Sequence, residues 1–297
     1  MPWSGCRVSA DSGRHTASSL RQVAFQAACG RSRHPSGSGR DESRRRSAVG
    51  GYLAVRPKPA ARLRLFCFHH AGGGALSFAR WQNRFGPDIS VIPVRLPGRE
   101  TRLREERVID GEQLSRELQA ELGPHLDRPY AFYGHSLGAL VAYAFALHHH
   151  RTGGRPPEVL AVGACSAPHL GMPVLEGAEV SEEGVLSVMR ASGGISSQLL
   201  DRPQWLRLTM TIMRDDLLLA RSLRAAAGDP LPCPVLAVSG RDDLLVSPGA
   251  VHAWSRYAPE GFRTGSVPGD HLFVRDADLA ELLRAVLDER RPLEPAV

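Results

Sequence analysis

The sequence has no apolar run approaching the roughly 20 residues a helix needs to cross a bilayer, which excludes a helical membrane span. Its five cysteines are scattered without metal-ligand spacing or the density of a disulfide framework, so the expected compartment is the reducing cytosol. The glycine-rich loop at 72–74 has no G-K-[ST] and no G-x-G-x-x-G, which removes the usual phosphate and dinucleotide cradles. Residues 1–51 hold no lysine and only three acids against nine arginines, and this local excess equals the whole net charge of +6. The remainder balances at 28 basic and 28 acidic residues, so no nucleic-acid partner is expected of the folded body.

Residues 1–51 are also poor in apolar periodicity and rich in Arg, Ser and Gly, a composition that predicts disorder. An Arg- and Ser-rich start is compatible with a transit peptide or a basic arm, but an extension without a role is the simplest reading. Residues 52–297 are expected to form one domain.

What is present centres on Gly134-His-Ser136-Leu-Gly138. The apolar run before it predicts a buried strand, and Leu137, Leu140, Val141, Ala144 and Phe145 after it mark a helical face. A strand that reverses into a helix within three residues crowds the backbone, and glycines on both sides relieve the clash and expose the serine hydroxyl. The N–H of Leu137, at the helix start, points at whatever the serine attacks.

Five further apolar segments predict strands: 62–68, 89–94, 159–163, 234–238 and 262–267, with Cys67 and Cys165 in buried strand positions. Helices are expected around 78–85, over 110–126 from leucines spaced by four, over 249–257, and from 279 onward. Alternating strands and helices imply an α/β fold with a mostly parallel, doubly wound sheet. Between 168 and 228 the alternation stops, and runs at 182–190 and 204–223 predict helices. The second is too apolar to lie free in water, and we read the insert as a helical lid forming an acyl pocket, against the plainer reading of ordinary core. His148-His-His150 suit a helix C-terminus, a metal tract being the weaker reading.

Catalytic groups belong at the carboxyl ends of such strands. Ser136 stands at one end, Asp242-Asp243 at another, and His271 follows the last strand. A serine hydroxyl needs a base, which His271 supplies, and an aspartate fixes the imidazole tautomer. The loop 69–74 after the first strand brings a second oxyanion donor, the N–H of Ala71.

These segments together resemble the type II thioesterases, members of the α/β-hydrolase superfamily that accompany polyketide synthases and nonribosomal peptide synthetases. The matching pieces are Phe68-His-His-Ala-Gly-Gly-Gly74, Leu96-Pro-Gly-Arg99, Arg128 to Leu140, Gly240-Arg-Asp-Asp243 with Val246, and Gly269-Asp-His271. Asp270 replaces the family's usual glycine. The glycine-to-valine spacing selects Asp243 over Asp242 as the partner of His271. The resemblance implies hydrolysis of acyl thioesters on the phosphopantetheine arm of acyl or peptidyl carrier domains. Ser136, Asp243 and His271 would be catalytic, with the Ala71 and Leu137 amides as oxyanion donors. It implies no metal or organic cofactor, since the phosphopantetheine belongs to the substrate, and a cytosolic monomer without a membrane partner. A carboxylesterase or lipase, a product-releasing thioesterase and a non-catalytic relative are the alternatives. The intact Ser-Asp-His set speaks against the last, and the absence of an upstream carrier domain against the product-releasing form.

Overall fold

The computed structural model describes residues 51–171, 180–193, 201–275 and 277–289. The chain divides into two units, Met1–Arg46 and Ser47–Val297. Apart from Gly51, the expected extension lies outside the described residues, as do 172–179 and 194–200 of the expected lid.

The six expected strands form one parallel sheet: β1 (Leu63–Phe68), β2 (Ile89–Val94), β3 (Tyr130–His135), β4 (Leu160–Gly163), β5 (Val235–Gly240) and β6 (Phe262–Val267), in the order β2-β1-β3-β4-β5-β6. Among the described residues the helices are α1 (Trp81–Phe85), α2 (Gly111–Leu122), α3 (Leu137–Arg151), α4 (Glu182–Ala191), α5 (Pro203–Ala225), α6 (Pro248–His252) and α7 (Ala277–Glu289). Strand side chains alternate between faces. Phe66 and Phe68 therefore pack with Leu114, Leu118, Leu140 and Phe145 on one side, while Leu65 and Cys67 meet Trp81, Phe85, Leu279 and Leu283 on the other. Burial on both faces explains why the strands read as continuous apolar runs.

Several expected boundaries differ. The helix expected at 78–85 is a 3₁₀ turn, Ala75–Phe78, followed by the short α1. The helix expected to Leu126 ends at Leu122 and continues as a 3₁₀ turn over Gly123–His125, because Pro124 has no N–H to extend the α ladder. The helix expected at 249–257 divides into α6 and a 3₁₀ segment, Ala253–Tyr257. Cys165 is buried but lies beyond β4, since Ala164 turns to a φ of 51° and ends the strand. Among the described residues packing already begins at Tyr52, eleven residues before β1. Tyr52 is buried, its hydroxyl bonds Glu117, and the Arg102 guanidinium lies 4.3 Å above its ring.

From β1 the chain crosses to β2 on one side, and β3 then returns to pair with β1 on the other. The carboxyl ends of β1 and β3 thus flank a topological switch point, where the loops diverge and leave a crevice. The loop 69–74 leaves β1 there, and Ser136 leaves β3.

Candidate active site

Ser136 joins β3 to α3 with φ 53° and ψ −115°, a backbone conformation that is strained for any residue but glycine. Its N–H donates to Gly163 O at 2.8 Å, and its C=O accepts from Ala139 N–H at 3.0 Å, which holds the turn. A Cβ on Gly134 would stand 2.2 Å from Gly138 O, and one on Gly138 would stand 2.1 Å from Phe68 O. Both glycines are required by close backbone approach. Leu137 opens α3, so its N–H has no intrahelical acceptor.

His271 lies in the loop after β6 and is 5% exposed. Its Nε2 is 3.0 Å from Ser136 Oγ, and its Nδ1 donates to Asp243 Oδ2 at 2.9 Å. The Asp243 side chain has no solvent exposure. Its other oxygen, Oδ1, accepts from the N–H groups of Leu245 and Val246 at 2.8 and 3.1 Å. Asp242 is exposed, and the Asp243 carboxylate both anchors the turn and meets the imidazole. Asp270 accepts from Leu272 N–H at 2.8 Å, an Asx turn that shapes the histidine loop without the family's glycine.

The loop 69–74 is pinned at nearly every peptide. His70 C=O accepts from His69 Nδ1 at 2.9 Å and from Gly73 N–H at 3.0 Å, and Ala71 C=O accepts from His70 Nδ1 at 2.9 Å. Gly72 N–H donates to Asp216 Oδ2 at 2.7 Å, and Gly73 C=O accepts from Arg99 at 3.2 Å. The N–H of Ala71 has no acceptor among the described residues. Burial drives the imidazoles of His69 and His70 down to about 3 and about 4, so both are neutral at pH 7.

A cavity of about 510 Å³ opens beside Ser136 and His271. Its apolar wall includes Leu140, Leu170, Met189, Met213, Leu217 and Ala220. The last three lie on one face of α5, which packs against α3 and α4. Helix phase within 204–223 was not legible beforehand; the structure turns Met213 and Leu217 inward.

Two partners of the site escaped sequence reasoning. Asp216, 2% exposed, forms a two-bonded ion pair with Arg99 at 2.8 and 3.0 Å. Its only sequence signal was an acid on the apolar stripe of α5, three residues after Met213 and four before Ala220. His135, wholly buried, accepts from the Tyr133 hydroxyl at Nδ1 (2.6 Å) and donates from Nε2 to His271 O (2.7 Å). Among the described residues no three His, Cys, Asp or Glu side chains gather as a metal site, and His149 bonds Gln119 at 2.8 Å.

A strained serine at a switch point, touching a histidine backed by a buried carboxylate and opening on an apolar cavity, defines a serine-hydrolase-like centre on an α/β scaffold. Residues 63–289 match the thioesterase domain family, and the chain belongs to it. It is 31% identical over 80% of its length to linear gramicidin dehydrogenase LgrE of Brevibacillus parabrevis, covering 90% of that protein. To thioesterase PikA5 of Streptomyces venezuelae it is 30% identical over 74% of its length, covering 78% of that chain. Among solved structures, RedJ, the thioesterase from the prodiginine pathway of Streptomyces coelicolor, superposes with a TM-score of 0.70 at 34% identity, over 80% of this chain and 94% of RedJ. The sheet and its flanking helices are the α/β-hydrolase fold of these thioesterases.

Proposed function

We propose that this chain is a type II thioesterase: it hydrolyses acyl groups from the phosphopantetheine arm of carrier domains in a polyketide or nonribosomal peptide system. The observation that carries the reading is the run of contacts from Asp243 through His271 to Ser136 at the mouth of an apolar cavity. Ser136 Oγ attacks the thioester carbonyl as its proton passes to His271 Nε2, and Asp243 stabilises the imidazolium. The N–H groups of Ala71 and Leu137 hold the oxyanion. Collapse expels the pantetheine thiolate, which takes the proton from His271. Water then gives a proton to His271 and attacks the acyl-serine, and the carboxylic acid leaves as Ser136 regains its proton. Side chains, the two backbone N–H groups and water suffice for each step.

In this reading α4 and α5 act as a lid over the acyl group, residues 1–51 take no part, and the enzyme works as a cytosolic monomer. The test is release of free acid from a panel of acyl-loaded carrier proteins by the parent and by Ser136→Ala. Loss of release in the variant, with carrier substrates turned over at least tenfold faster than small oxygen esters, is expected. Parent-like turnover by Ser136→Ala would overturn the nucleophile, and a preference for oxygen esters would favour a carboxylesterase.

A further inference from the structure

We propose that Asp216 is a positioning residue for the oxyanion site: from the cavity helix α5, it fixes the loop whose Ala71 N–H receives the developing charge. This rests on the reading of Ser136 as nucleophile and names a part of that same machinery.

The argument begins with planar peptides, in which N–H and C=O point in opposite directions. The unit joining His70 to Ala71 is held by its carbonyl, which accepts from His69 Nδ1 and Gly73 N–H, and this sets the direction of the Ala71 N–H. Next in the chain, the unit joining Ala71 to Gly72 is held at both ends, by His70 Nδ1 on the carbonyl and Asp216 on the N–H. Gly72 follows with φ +71°, a left-handed turn that glycine adopts without the strain other residues incur. The pins from His69 and His70 are internal to the loop and move with it. Asp216 and Arg99 are external, 144 and 26 residues away from the groups they hold, and they locate the loop relative to the sheet.

Asp216 is built for this task. Burial alone would raise its carboxyl, but the Arg99 charge and hydrogen bonds outweigh burial, helped by the Gly72 N–H, and keep it below the ordinary carboxylate range. An ionised acceptor makes a stronger bond to a backbone N–H than a neutral one. Asp216 does not line the cavity, so it acts on the loop and not on the substrate. It is flanked on α5 by Met213 and Leu217, which do line the cavity. The Met213 terminal methyl would stand 3.0 Å from a Cβ on Gly72. One helix therefore shapes the acyl pocket and holds the oxyanion loop, so a displacement of α5 is felt at both.

A buried ion pair that merely fastens α5 to the body is the competing account, and kinetics separate the two. Losing one oxyanion donor costs about 10²–10³ in turnover, so a donor left mobile is expected to cost about 10–100-fold. Asp216→Leu, which offers the Gly72 N–H no acceptor, should lower kcat by that factor with KM changed less than threefold. It should weaken a trifluoromethyl ketone analogue, which adds to Ser136 Oγ to give a tetrahedral oxyanion, by a similar factor. The second variant is Arg99→Met with Asp216→Leu, in which an apolar pair replaces the charged one and stability is expected to return. Turnover should stay low, because Gly72 N–H still has no acceptor. Recovery of kcat together with Tm in this double variant would overturn the proposal, as would parent-like analogue affinity in Asp216→Leu. Should neither variant fold, as read by near-UV circular dichroism, the fastening role is enough and the proposal fails. Parent-like turnover by Ser136→Ala would instead remove the underlying reading, whatever Asp216 does.

Discussion

His135 donates its Nε2 hydrogen to the main-chain carbonyl of His271 at 2.7 Å, although 136 residues separate them. A carbonyl only accepts, so His135 is the Nε2–H tautomer, and its Nδ1 takes the hydrogen of the Tyr133 hydroxyl. The residue before Ser136 thereby holds the loop that carries His271. His135→Phe strands a buried carbonyl and a buried hydroxyl, at about 1–3 kcal/mol each. For a domain of this size each kcal/mol lowers Tm by about 2–4 °C. We expect a drop of several degrees and at least a tenfold fall in kcat, with His135→Gln, which keeps a donor, in between. Thermal melts and carrier-protein hydrolysis measure both, and an unchanged Tm in His135→Phe would refute the contact.

Asp243 and Asp242 should separate sharply. Asp243→Asn keeps the shape but favours the wrong imidazole tautomer, a change worth about 10⁴ in turnover in a serine protease. We expect a loss of at least a few hundredfold in kcat, with binding little altered. Asp242 is exposed, and Asp242→Asn should stay within about tenfold of the parent. The reverse ranking would sink the assignment.

Stability should fall with acid earlier than carboxylates alone dictate. Burial first, then the Arg99 charge, takes His69 down to about 3; burial first, then neighbouring His271, takes His135 well below the ordinary histidine range. The unfolded chain binds these protons below about pH 6.5 while the folded chain does not. Unfolding is therefore favoured as pH falls below about 6.5, by about 1.4 kcal/mol per unit for each group, and for His69 the effect ends at about 3. Urea midpoints at pH 6.5, 5.5 and 4.5 measure the slope. His135→Gln should flatten it by one group's share, and an unchanged slope would contradict a neutral buried imidazole.

Leu217 is 3% exposed and faces the cavity, one turn from Met213, which leans on Gly72. Leu217→Trp should shorten the longest acyl chain accepted while leaving acetyl-thioester hydrolysis within about threefold. Met213→Trp should slow every substrate, since it presses on the 69–74 loop. Uniform loss for both, with lowered Tm, would support plain core packing.

Removal of residues 1–50 should leave Tm and turnover unchanged. Among the described residues the first buried anchor is Tyr52, and the deleted segment carries essentially all of the chain's net charge. A loss of several degrees would show that the segment contributes to the folded body.

The strands, the elbow at Ser136 and the position of His271 after the last strand are legible in the amino-acid string. Each is a local pattern: apolar runs buried on both faces, glycines beside a strained serine, a loop bounded by Pro268 and Gly269. The choice of Asp243 needed glycine-to-valine spacing as well, because neighbouring carboxylates look alike in a string. Tertiary structure alone decided that Asp216 binds Arg99 and Gly72, across 117 and 144 residues, and that His135 reaches His271. The physical reason is that such bonds depend on how α5 and the loops pack on the sheet, and on which way a helix is rotated about its axis. Rotation of α5 by one residue, about 100°, would carry Asp216 out of the core and leave its sequence unchanged.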